Sequence, residues 1–367
     1  MQDRRLCRHH RFLTAVGALV LLALTGCSDT GSGSSALSEP PTTESATTES
    51  PATTSTSAAI QTPTTVTAPA TTTAAPPSSV AAPPTLCTGD GTTTRTDLAY
   101  DSIPGVDPNL LSLDVYMPGL GPDCPPPPIM IYVHGGAWVT GDKTHNVDNK
   151  ISWFNEMGWV LVSVNYRLTP EADGSDPADL DTNRVMFPTH NNDVANAVAW
   201  IRDNASRIGA DPDAMSIMGH SAGGGIISAI STDETYLGDH GLGLDTLDCA
   251  VSLDTAAYDI RARVEDSLTT NLYLNAFGDI PSDWDIASPL NHVEPAKNIP
   301  DFFIVVRGSN SRIAQAQDFE RALASAGVGT QLIEAAGLSH DGVNEAIGSP
   351  DDSVITPELG VFLNSCR

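Results

Sequence analysis

The pentapeptide Gly219-His220-Ser221-Ala222-Gly223 lies between a short apolar run, Ala214–Met218, and a Gly- and Ile-rich stretch that ends at Ile230. The run has the length and composition of a strand, and the stretch reads as the opening of a helix. A chain that passes from strand to helix within five residues must turn sharply. Glycine on both sides of the turn lets the two elements pack without clashing side chains. The apical residue, Ser221, would then project above a sheet edge. It would also sit beside a helix start, whose unpaired N–H groups and positive dipole end favour negative charge.

A second segment sharpens that constraint. Ile129–Val133 reads as a buried strand and empties into His134-Gly135-Gly136-Ala137-Trp138. Gly135 and Gly136 permit close backbone approach, and Ala137 keeps its N–H. A loop of this kind, placed before the strand–Ser–helix turn, can present amide donors to an oxygen that gains negative charge during acyl transfer. Such chemistry requires a base, expected late in the chain. His340 follows a strand-like run, Thr330–Glu334, and is expected on a loop after the final strand. His134 and His220 belong to the two motifs, and His9 and His10 lie in a basic leader. His145, His190, His240 and His292 are expected in surface loops.

These residues resemble the α/β-hydrolase fold, and within it the esterase/lipase group that includes hormone-sensitive-lipase-like and feruloyl-esterase-like carboxylesterases. The resemblance runs from about Thr92 to the C-terminus. Trp159–Leu168 looks like the fourth strand and its Y-R-L turn, and Asn192–Pro212 like the helix and D-P turn before the elbow strand. It implies an α/β fold, a mostly parallel sheet flanked by helices with a small cap insert. It also implies an acyl-serine mechanism with Ser221 as nucleophile and His340 as base. The oxyanion hole would come from the N–H groups of Ala222, Gly136 and Ala137, with Gly135 shaping the loop. The substrates implied are carboxylic esters of small molecules, glycans or lipids. An amidase or peptidase of the same fold, and a catalytically silent binding module, are the alternatives.

The acid departs from the family pattern. It usually follows the seventh strand, yet here Phe302–Val306 leads to Arg307-Gly308-Ser309-Asn310-Ser311-Arg312, which holds no carboxylate. The sixth strand, Ala250–Leu253, ends instead in Asp254. The ends of parallel strands open on one side of the sheet, so an acid there can orient the imidazole equally well. Asp254 is the expected acid. Asn310 could hold the tautomer without supplying charge, and Asp341 beside His340 would point elsewhere in an extended loop.

The chain before this domain reads as an address. Arg4, Arg5, Arg8 and Arg11 precede an apolar run, Phe12–Leu24, too short to span a bilayer comfortably. Leu24-Thr25-Gly26-Cys27 resembles a bacterial lipobox. That implies a signal peptide over 1–26, acylation of Cys27 and a lipid-anchored position at the cell surface. Residues 27–86 are Ser, Thr, Pro and Ala with few large apolar side chains, a composition expected to remain a disordered tether. The catalytic domain is expected over 87–367.

The formal charge of −27 disfavours nucleic acid as a partner. With neither C-x-x-C nor H-E-x-x-H present, no metal or cofactor is expected. Cys87, Cys124, Cys249 and Cys366 remain outside the leader, an even set that suggests two disulfides in an exported protein. Cys249 starts the sixth strand and Cys366 ends the last helix, which favours Cys249–Cys366 with Cys87–Cys124. An antiparallel opening pair is expected at Thr94–Tyr100 and Leu111–Met117. Helices are expected at Asn146–Met157, Asn191–Arg207, Ser221–Ser231, Ile313–Ala326 and Pro357–Asn364. The insert from Thr255 to Pro300 is the candidate cap.

Overall fold

A computed structural model describes residues 91–366 apart from 122, 173–180 and 182. The expected signal peptide over 1–26, the acylated Cys27, the tether over 27–86 and Cys87 lie outside the described residues. The described part builds one eight-stranded sheet from β1 (Thr92–Ala99), β2 (Ser112–Pro118), β3 (Ile129–Val133), β4 (Val160–Val164), β5 (Met215–His220), β6 (Cys249–Leu253), β7 (Asp301–Val306) and β8 (Thr330–Glu334). The strands run in the spatial order β1-β2-β4-β3-β5-β6-β7-β8. β1 and β2 form the antiparallel opening pair, β2 meets β4 antiparallel, and β3 to β8 are mutually parallel. This is the α/β-hydrolase fold.

Each central strand is apolar on both faces, as a parallel sheet covered by helices on both sides requires. Ile131, Val133, Val162, Val164, Phe302 and Ile304 face one core, together with α2 (Thr189–Ile208), α3 (Ala222–Ile230) and α8 (Asn310–Ser325). The alternate residues Met130, Tyr132, Leu161, Val251, Phe303 and Val305 face the other, with α1 (Asp148–Glu156) and α10 (Thr356–Leu363). The strand period of two thus sorts one sequence into two cores. Cys249, at the start of β6, is disulfide-bonded to Cys366 just past α10. Cys124 is also disulfide-bonded.

The helices differ from expectation mainly by one to three residues at their ends. Between them come α4 (Glu234–Gly238) and α9 (His340–Ala346). The segment between β6 and β7 folds into α5 (Ile260–Glu265), α6 (Thr270–Phe277) and α7 (Pro281–Ala287). It packs on the loop after β3, where Trp138 meets Tyr273 and Phe277 edge-on at ring-centroid distances of 5.4 and 5.0 Å. Trp138 is 4% exposed, so it serves as the seat of the insert. Among the described residues, no helix is long and apolar enough to cross a membrane.

Candidate active site

Ser221 separates β5 from α3 with φ 54° and ψ −117°, a left-handed conformation that costs free energy for a residue with a Cβ. Crowding on every side holds it there. A Cβ on Gly223 would lie 2.3 Å from the carbonyl oxygen of Val133, so only glycine lets α3 come this close to β3. A Cβ on Gly135 would lie 3.0 Å from Ser221 Cβ, which puts the Gly135–Ala137 loop directly against the serine. Ala222 is the first residue of α3, so its N–H has no carbonyl one turn earlier. Gly136, Ala137 and Trp138 all have positive φ, a run of turned peptide units beside Ser221.

The loop is held from behind. Tyr166 donates its hydroxyl to the His134 carbonyl at 3.1 Å and stacks on the His134 ring. Buried Lys143 bonds Asp97 at 2.9 Å and Asn109 at 2.8 Å, and Ser163 donates to the Lys143 carbonyl at 2.6 Å. Burial lowers the His134 pKa to about 4, so the ring is neutral at pH 7 and donates Nδ1–H to the Gly135 carbonyl at 2.7 Å.

Ser221 Oγ lies 2.8 Å from His340 Nε2, and His340 Nδ1 lies 2.6 Å from Asp254 Oδ2. Asp254 is the residue after β6, is fully buried and has φ 45°. Burial works to raise its pKa, but the hydrogen bond from His340 and the charge of Arg312 outweigh burial and hold it below the usual carboxylate range. The ionised acid therefore accepts Nδ1–H, which leaves Nε2 free to accept the serine proton. His220 supports the imidazole from the elbow. Its pKa is lowered to about 3 by burial, and its neutral ring donates Nε2–H to the His340 carbonyl at 3.0 Å.

Two expectations need correction. His340 opens helix α9 rather than standing in an open loop, with Ser339 accepting from the Gly342 N–H as N-cap. The short run from His340 to Ala346 carries too little apolar periodicity to announce a helix. His190 is buried on α2 at 1% exposure rather than in a surface loop, and its Nε2 lies 2.9 Å from Thr169 Oγ1. Polar neighbours Thr189, Asn191 and Asn192 disguise it. Asn310 starts α8 as an exposed residue, and no hydrogen bond joins it to His340. Sequence reasoning also missed the partners of Asp254. Arg307 Nε and Arg312 Nη2 reach its two carboxylate oxygens at 2.9 and 2.8 Å. Two arginines in the loop that lacks its carboxylate, in a chain with only 18 Lys and Arg, were the available signal.

A cleft of about 400 Å³ between α2, α4 and α7 is lined by Asn192, Tyr236 and Asp283, and touches none of Ser221, His340 or Asp254.

With fold and geometry in hand, the chain can be placed among known proteins. It has the α/β-hydrolase architecture with a Ser–His–Asp arrangement at the strand ends. The BD-FAE family model matches residues 113–323, more than half of the chain, and the protein belongs to that family. It is 30% identical over 251 residues to "Esterase LipQ" of Mycobacterium tuberculosis, covering 64% of this chain and 54% of that one. It is likewise 30% identical over 255 residues to "Esterase LipC" of the same organism, covering 65% and 58%. The chain thus spans little more than half the length of these curated relatives. Among solved structures, a truncated carbohydrate esterase from gut microbiota aligns with TM-score 0.58 at 19% identity, over 75% of this chain and 96% of that one. A structure of an arylesterase aligns with TM-score 0.55 at 23% identity, over 76% and 86%. At these identities the structural likeness concerns the fold.

Proposed function

We propose that this protein is a serine carboxylesterase, with Ser221 as nucleophile, His340 as general base and acid, and Asp254 as orienting acid. The hydrogen-bonded series from Ser221 Oγ through His340 to Asp254 carries this reading. Ser221 Oγ attacks the ester carbonyl carbon while its proton passes to His340 Nε2. The oxyanion is met by the N–H groups of Ala222, Gly136 and Ala137. The C–O bond to the leaving alcohol then breaks, and the alcohol takes the proton from Nε2. Water, deprotonated by the same nitrogen, releases the acid and restores Ser221. Relatives named as esterases support the substrate class. The absence of a carboxylate after β7 would favour a silent module, but Asp254 supplies the charge from the neighbouring strand. Hydrolysis of p-nitrophenyl butyrate by the wild type and its loss in a folded Ser221→Ala variant is the expected result. Most of the activity surviving in Ser221→Ala would overturn the assignment.

Export and lipid anchoring belong to the same reading and rest on the leader and on Cys27. The Cys249–Cys366 disulfide supports an oxidising compartment outside the cytoplasm. Metabolic labelling with a fatty-acid probe is expected to mark the full chain and to miss Cys27→Ala. Equal labelling of both would remove Cys27 from the proposal.

A further inference from the structure

Asp254 is shared between the imidazole and two guanidinium groups, and this arrangement has a direct consequence for the base. Arg307 Nε bonds Oδ2 at 2.9 Å, the same oxygen that His340 Nδ1 reaches at 2.6 Å. Arg312 Nη2 bonds Oδ1 at 2.8 Å and the Asp254 backbone carbonyl at 2.8 Å, and its Nε reaches the Arg307 carbonyl at 3.4 Å. The carboxylate is fully buried, whereas the two arginine side chains are 28% and 26% exposed. Arg312 also stands in the first turn of α8, with no acidic residue beside it. A cation there opposes the helix dipole. A local rule broken in this way marks a residue retained for another purpose, and the buried carboxylate offsets the cost.

We propose that Arg307 and Arg312 are positioning residues for the reaction: together they fix the Asp254 carboxylate against His340. The strand-seven loop thereby keeps a part in the triad by holding an acid that comes from strand six. With Oδ1 bonded to Arg312 and Oδ2 shared by Arg307 and His340 Nδ1, the carboxylate is held from turning away from the ring. The groups facing His340 are Asp254 and Ser221 on its nitrogens and His220 with ring centroids 4.7 Å apart. Behind Asp254 stand Arg307, Arg312 and the buried Tyr258 phenol. Of these, the two arginines are the cations in direct contact with the acid.

This proposal rests on the triad reading, and its test separates the two. Arg312→Gln, Arg312→Lys and Arg307→Gln are compared with wild type for kcat and KM on p-nitrophenyl butyrate. The proton signal of the His340 Nδ1–H bonded to Asp254 is followed by NMR. Arg312→Gln is expected to lower kcat about 10- to 100-fold with KM within about twofold, because the base is misaimed while the binding surface is untouched. Its His340 Nδ1–H signal should move or weaken, because the hydrogen bond to Asp254 loses its fixed geometry. Arg312→Lys restores the charge but not the fork that bonds carboxylate and carbonyl together. It should leave kcat reduced. If Arg312→Gln fails to fold, Arg312→Lys decides, and an unchanged kcat there overturns the proposal. An unchanged kcat and an unchanged Nδ1–H signal in folded Arg312→Gln also overturn it. A wild type that hydrolyses no ester defeats the triad reading instead, and the Nδ1–H signal still judges the arginines.

Discussion

On the β3–β5 side of the site, backbone meets backbone: Gly223 lies against Val133 and Gly135 against Ser221, where no larger residue fits. On the β6–β7 side, side chain meets side chain, with Asp254 held by His340, Arg307 and Arg312. The first arrangement needs particular residues at fixed spacing, because the elbow and the amide loop exist only if the chain can turn that tightly. The second needs only that one carboxylate reach one ring nitrogen. The adjoining ends of β6 and β7 lie together on that side of the sheet, so the acid can change strands while the nucleophile cannot.

The largest expected effect concerns the joint itself. Ser221→Ala and His340→Ala should each lower kcat by about 10⁴- to 10⁶-fold, and the double variant should be no slower than the worse single one. A double variant slower by the product of the two losses would show that the halves act independently. Next comes the backbone-crowded half. Gly223→Ala should destabilise the domain by about 3 kcal/mol in denaturant unfolding, since the added methyl must displace β3 or α3. A loss under about 0.5 kcal/mol, on the scale of a surface change, would mean that this packing is not as rigid as the comparison requires.

Buried histidines give a smaller effect with a defined sign. Burial lowers the pKa of His134 to about 4 and those of His190 and His220 to about 3, each from 6.5. Between pH 6.5 and about 4 the unfolded chain binds protons that the native state excludes, so stability falls as pH falls through that window. Each such residue contributes about 1.4 kcal/mol per pH unit once the unfolded chain is protonated. His190→Gln should flatten this slope in urea titrations at pH 4 to 6.5, and an unchanged slope would remove His190 from the account. Smallest of all is Asn310→Ala at the start of α8. It should shift stability by less than about 0.5 kcal/mol and leave kcat near wild type.

The same division governs what could be read from the chain. The sheet was legible because buried parallel strands are short apolar runs, and Ser221 because its turn is written in five consecutive residues. His340 was legible by order along the chain, although its helix was not. Asp254 had to be chosen between strands, since it lies 86 residues from His340 in sequence and belongs to no local pattern. The roles of Arg307 and Arg312 stayed hidden for the same reason: only the fold brings the ends of β6 and β7 together. The helices of the insert escaped notice because they are short, and because turn-forming residues separate them.

The rate at which a fluorophosphonate labels Ser221 tests the central claim most directly, since that reaction needs the activated oxygen and no particular substrate pocket. Asp254→Asn should label about 10³- to 10⁴-fold more slowly than wild type while remaining folded, because the amide holds the wrong tautomer and supplies no charge to the imidazolium. Asn310→Ala should label at the wild-type rate. Labelling of Asp254→Asn within about twofold of wild type, with Asn310→Ala slowed instead, would return the acid's role to the strand-seven loop and contradict the account.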